Sequence, residues 1–77
     1  MDFIYTSPDS KWAIGQQGMI LVMDGAVYSV YKKYPNDGWV PYKFIGENLS
    51  DAFVWLRQAG IISGDEMRFE VAKLKVK

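Results

Sequence analysis

Residues 31–44 read YKKYPNDGWVPYKF, and the PNDG at their centre constrains the chain more than any other feature. Two aromatic-rich, β-prone runs flank it, AVYSVYKKY at 26–34 and WVPYKFI at 39–45. Asn36 and Asp37 suit a type I turn, and Gly38 suits the left-handed position that follows. The two runs are therefore expected to pair as an antiparallel hairpin. Its register decides which face each aromatic occupies, because side chains alternate with a period of two. An Asn36-Asp37-Gly38 loop sets Tyr34 opposite Val40, Lys32 opposite Tyr42, Tyr31 opposite Lys43 and Val30 opposite Phe44.

A second hairpin is expected before the first. MILVM, residues 19–23, reads as a strand returning through a two-residue Asp24-Gly25 turn, whose central residues both need positive φ. In KWAIGQQG, residues 11–18, Gly15 and Gly18 are expected to interrupt regular structure, while DFIYT at 2–6 is a further candidate strand. Beyond Gly46 the period changes. Asn48 can cap a helix that starts at Leu49, with Asp51 in the first turn and Leu49, Ala52, Phe53, Leu56 and Ala59 on one face. Gly60 stops it.

The remaining MRFEVAKLKVK, residues 67–77, reads as a strand with apolar Met67, Phe69 and Val71, then Ala72, Leu74 and Val76. The one-residue slip between those sets implies a bulge near Val71 and Ala72. The expected fold is α+β in a single domain, 1–77: an antiparallel β-meander, one helix on one face, and a C-terminal strand. The order is β-β-β-α-β, with the N-terminal segment as an additional strand.

Composition narrows function. The 77 residues include no cysteine and no histidine, so no disulfide framework or Cys/His metal site is available. Nucleophilic or general-base chemistry would fall to Ser, Lys, Tyr or a tuned carboxylate, and most carboxylates have a reason to stand in turns or at a helix start. GQQG lacks the Lys and Ser/Thr of a phosphate loop, and GDE at 64–66 is too sparse for a calcium loop. Neither enzymatic activity nor a cofactor or metal is expected. Nine basic and nine acidic residues balance, which speaks against duplex binding. The start MDFIYTSPDSK does not read as a signal peptide, and MILVM is too short to span a bilayer. A cytoplasmic protein without membrane contact is expected.

Function then rests on surfaces. With the register above, Tyr28, Val30, Lys32, Tyr34, Val40, Tyr42 and Phe44 share the face assigned to the helix, where Phe44 joins Phe53 in the core. The other face carries Ile20, Val22, Val27, Ser29, Tyr31, Lys33, Trp39, Pro41, Lys43 and Ile45, more apolar than a solvated sheet face should be. Either the N-terminal segment covers it with Phe3, Tyr5 and Trp12, or a partner does. The candidate partner-binding residues are Tyr31, Lys33, Trp39 and Lys43 on the sheet, with Trp55 at the border of the helix's apolar face. The leading expectation is a non-enzymatic protein-interaction module, self-associating or gripping a protein whose identity the residues do not disclose. The alternative is a single-stranded nucleic-acid binder that stacks bases on Tyr31 and Trp39 beside Lys33 and Lys43.

In length, lack of cysteine and β-β-β-α-β layout, the chain resembles the small accessory proteins of bacteriophages and mobile elements. Many of those bind and inhibit a host protein. The resemblance implies protein binding of that kind and assigns no residue a role.

Overall fold

The computed structural model describes residues 3–19 and 26–75. Its elements run β1 (Tyr5–Thr6), β2 (Trp12–Met19), β3 (Ala26–Tyr34), β4 (Gly38–Gly46), α1 (Leu49–Gln58) and α2 (Gly64–Lys75). The four strands form one antiparallel sheet in the order β1-β2-β3-β4, so the fold is α+β with a meander sheet. Two helices follow the sheet, where one helix and a strand were expected. No helix among the described residues is long and apolar enough to cross a membrane.

The partner of β3 differs from the expected one. Trp12–Met19 pairs with it, setting Ile14 opposite Val30 and Met19 opposite Ala26. An Asp24-Gly25 turn would have set Met19 opposite Val30. That turn, and residues 20–23 of the expected MILVM strand, lie outside the described residues. Gly15 does not interrupt the strand; it admits Tyr31 across the ladder. A Cβ at Gly15 would lie 2.6 Å from Tyr31 Cε1 and 3.2 Å from Phe3 Cδ1. Glycine in a strand here marks close approach of a side chain.

The β3–β4 hairpin forms with a shifted register. Pro35, Asn36 and Asp37 make the turn, and Gly38, at φ +71°, pairs with Tyr34 as the first residue of β4. Lys32 thus faces Val40 and Tyr31 faces Pro41, so the Tyr31–Lys43 and Lys32–Tyr42 pairs are not formed. The register then slips around Tyr42 and again around Ile45: Val30 faces Lys43, Ser29 faces Phe44 and Tyr28 faces Gly46. Each added residue reverses the alternation. As a result Phe44 stands 53% exposed instead of in the core, while Ile45 packs against the core.

α1 forms as its cap dictates. Asn48 Oδ1 accepts from the Ser50 backbone N–H at 3.1 Å and from the Ser50 hydroxyl at 2.7 Å, and Gly60, at φ +79°, follows the helix end. Ala52, Phe53 and Leu56 are buried with Ile14, Val30 and Ile62 between helix and sheet. Tyr5 packs edge-on against Phe53, with ring centroids 5.1 Å apart.

Residues 76 and 77 of the expected C-terminal strand lie outside the described residues, while 67–75 belong instead to the helix α2. Ser63 caps it: the Glu66 backbone N–H donates to Ser63 Oγ at 3.1 Å, and the Met67 N–H donates to Ser63 O at 3.0 Å. Ser63-Gly-Asp-Glu66 carries the spacing of a capping box, and Asp65 and Glu66 suit the positive end of the macrodipole. Met67, Val71 and Leu74 recur at helical intervals, and the first two pack against the core. The slip that suggested a bulge is what a 3.6-residue period looks like against a period of two.

On the sheet face away from the helices, Ala13, Val27, Ser29 and Tyr31 are buried. Phe3 lies there, 5.2 Å from Tyr31 and 4.9 Å from Trp39 between ring centroids. The N-terminal segment therefore covers part of this face, through Phe3. Tyr5 and Trp12 instead pack toward the core on the helix side.

Two outcomes are expected from this packing. Phe53→Ala should destabilise the fold by about 3–5 kcal/mol in denaturant unfolding, whereas Phe44→Ala should lose less than about 1.5 kcal/mol. Equal losses would contradict the bulged register. The second concerns Tyr5, whose hydroxyl lies 3.4 Å from Glu66 Oε1 on α2. Burial, then the charges of Glu66 and Glu70 and the contact with Glu66, push its phenol from 10.0 up to about 12. The folded state holds this proton more tightly, so the stability linked to it is complete below pH 10 and is lost as pH rises toward about 12. Tyr5→Phe should remove a phenolate transition near pH 12 from an ultraviolet titration and flatten the alkaline loss of stability. An unchanged titration would refute the assignment.

Candidate interaction surface

The densest aromatic surface lies on the helix side of the sheet. It is assembled from β2, β3, β4 and α1 around Trp12, Tyr42, Trp55 and Lys32.

Trp12 is positioned by the turn before β2. The Ser7 N–H donates to Trp12 O at 2.8 Å, and the Trp12 N–H donates to Ser7 Oγ at 3.1 Å. Ser7 Oγ donates in turn to Asp9 Oδ1 at 2.5 Å, and the Lys11 N–H donates to the same oxygen at 3.0 Å. Ser10, at φ +61°, takes the left-handed conformation that closes this turn. Ser7 is buried with its hydroxyl both donating and accepting, so the turn is internally satisfied. The hydrogen bond from Ser7, followed by the one from the Lys11 backbone, holds the Asp9 carboxyl below the usual carboxylate range.

From that anchor the indole meets Tyr42 edge-on, at 5.0 Å and 90°, and Trp55 at 5.9 Å. Tyr42 and Trp55 close the triangle at 6.0 Å. Tyr42 reaches this position because it is the extra residue at the first β4 register shift, and it remains 51% exposed. Trp12 and Trp55 are half-buried. Lys32 pairs with Trp12 across the β2–β3 ladder, and its Nζ lies 5.2 Å from the Trp12 ring, 5.3 Å from Tyr34 and 5.6 Å from Tyr42. An ammonium among ring faces is attracted by their quadrupoles, worth about 0.5–1 kcal/mol per contact at exposed sites. This attraction keeps a charge beside an apolar cluster without burying it.

The residues singled out from the sequence fall into separate places. Trp55 belongs to this cluster. Tyr31 is only 3% exposed, beneath Phe3 on the opposite sheet face. Lys33 and Trp39 are brought together there, with Nζ 5.7 Å from the ring, as their cross-strand pairing dictates. Lys43 is exposed and pairs with Val30, away from Tyr31. Trp12, Lys32, Tyr34 and Tyr42 stand outside that candidate set, Tyr34 and Tyr42 having been assigned with Tyr28 to the opposite sheet face. For Trp12 the signal was available in the alternation of Trp12 and Ile14 with Ala13 and Gly15, which reads as a strand once Gly15 is taken as a contact point.

The Ser7–Asp9 turn supplies a test. Because the folded-state pKa of Asp9 is lowered, its contribution is present above the ordinary value of 3.8 and is lost as pH falls through the folded value. Asp9→Asn should therefore reduce stability at neutral pH, with the difference from the parent shrinking in acid. A difference independent of pH would mean that the carboxylate charge is not what the turn uses.

The chain matches no protein-family model, and it matches no curated protein and no solved structure.

Proposed function

We propose that this protein is a non-enzymatic protein-interaction module whose contact surface is centred on Tyr42, with Trp12, Trp55, Tyr34 and Lys32 around it. The observation that supports this reading most directly is the exposed Tyr42 held between two half-buried tryptophans, the three rings coming from three different elements. Such a cluster offers large contact area with little conformational entropy left to lose. Tyr and Trp are over-represented among residues that dominate binding energy. The host-protein inhibition implied by the resemblance to phage accessory proteins is one form such binding takes.

Single-stranded nucleic-acid binding is the competing reading, and two features weigh against it. Net charge is zero, and the one lysine within the cluster is already shared among three rings. Backbone-tracking sites instead line their stacking platforms with free cations.

Affinity capture from the organism that encodes the chain, run in parallel with wild type and Tyr42→Ser, tests the proposal. Wild type should retain a protein that Tyr42→Ser retains at least about tenfold less, with circular dichroism unchanged. A protein captured equally by both would rule out this surface. Salt-sensitive binding of a fluorescent single-stranded oligonucleotide, abolished by the same substitution, would replace the proposal with the nucleic-acid reading.

A further inference from the structure

α2 carries a second surface that shares no residue with the Tyr42 cluster. Asp65, Phe69 and Lys73 are spaced at i, i+4 and i+8, so they form one row along the helix. Met67 and Val71 turn toward the core, whereas Phe69 is 60% exposed, more than any other large apolar side chain among the described residues. Lys73 Nζ lies 4.4 Å from the Phe69 ring, and the charges of the row meet partners on their own helix, Asp65 with Arg68 and Lys73 with Glu70. The Asp65–Arg68 pair is fully at the surface, the Glu70 side chain is mostly buried, and pairs three residues apart on a helix are individually weak.

The order of the row is anion, aromatic, cation. Read backwards it is cation, aromatic, anion, so the row is complementary to itself when reversed. We propose that α2 is a self-association surface on which a second copy of this chain packs its own α2 antiparallel, about a two-fold axis passing between the two Phe69 rings. Phe69 then meets the copy's Phe69, and Asp65 of each chain faces Lys73 of the other. The two charges of a row are separated by eight residues, roughly 12 Å along the axis, which leaves room for the ring pair between them. A parallel arrangement would set like charges against each other, so charge selects the antiparallel one. Ala72, beside the row, also borders the shallow groove lined by Ser50, Val54, Met67, Arg68 and Val71, which extends the contact past Phe69. The edge strand β4 does not compete as a route to pairing, since Pro41 and two register shifts break its ladder. A 12-residue helix spans only about 18 Å, so the contact is smaller than a permanent interface and the dimer forms in a concentration-dependent way.

Sedimentation equilibrium from low micromolar to about 1 mM protein reads this directly. Wild type should pass from monomer to dimer, with association weakened several-fold by raised salt. Phe69→Ser, at an exposed position, should remain folded by circular dichroism and monomeric, while Tyr42→Ser should dimerise as wild type does. The decisive experiment uses two charge reversals. Asp65→Lys alone sets lysine against lysine, and Lys73→Asp alone sets aspartate against aspartate, so each should self-associate several-fold more weakly. Mixed together, they restore opposite charges at both ends and should form a heterodimer at least as strong as the wild-type dimer. A monomer throughout the range, a dimer indifferent to Phe69→Ser, or charge variants that do not recover on mixing would each overturn the proposal.

Discussion

The pairing of Ile14 with Val30 is the contact on which the rest of the structure is built. Both side chains are fully buried, and they meet Phe53 and Leu56 of α1 on one side of the sheet. Burying side chains of this size contributes about 1.5–3 kcal/mol each, and the chain has no disulfide to add to it. Because the period of a strand is two, the same register that turns Ile14 and Val30 toward the helix turns Gly15 and Tyr31 away from it. Tyr31 needs the space that a Cβ at Gly15 would occupy. The absence of one side chain thus permits the ladder to close with a large ring on its far face. Phe3 then covers part of that face by packing on Tyr31 and Trp39.

The sheet has two unlike ends of irregularity, and both shape its surface. On β2 the Ser7–Asp9 turn anchors Trp12 at the strand's first residue. On β4 an added residue at Tyr42 brings a ring to the Trp12 indole that regular alternation would have directed elsewhere. A second register shift near Ile45 lets that side chain rejoin the core. β4 is an edge strand, and the irregularities that position Tyr42 also blunt the edge as a template for another strand. Protein contact through aromatic side chains, the function proposed above, and resistance to edge pairing therefore draw on the same local feature.

Electrostatics enter mainly as a means of holding things at the boundary. Lys32 stays near three rings while keeping its head accessible to water, the behaviour expected of a long amphipathic side chain. Tyr5 reaches Glu66 and so joins the first strand to the last helix. α2 itself rests mainly on α1, with alternating charges along its exposed side.

Much of the local structure was legible in the residues themselves. Asn48 and Gly60 bounded α1, its buried face followed from Ala52, Phe53 and Leu56, and the PNDG turn joined the two strands that flank it. These features depend on neighbours within a few positions, where caps, turns and helical period act. α2 was also encoded locally, in the Ser63–Glu66 cap and the spacing of Met67, Val71 and Leu74, but its mixture of apolar residues fits a strand almost as well until the slip is read as helical period. What only the tertiary structure decided was register. Whether Val30 faces Met19 or Ile14 on one side and Phe44 or Lys43 on the other, and whether Phe44 or Ile45 enters the core, depends on which pairing buries most against α1 and leaves room for Tyr31 over Gly15. A single added residue in β4 reverses every side chain beyond it. For that reason Trp55 could be picked out from its helix alone, whereas Trp12, Tyr42 and Lys32 became neighbours only when three strands and a helix had settled their alignment.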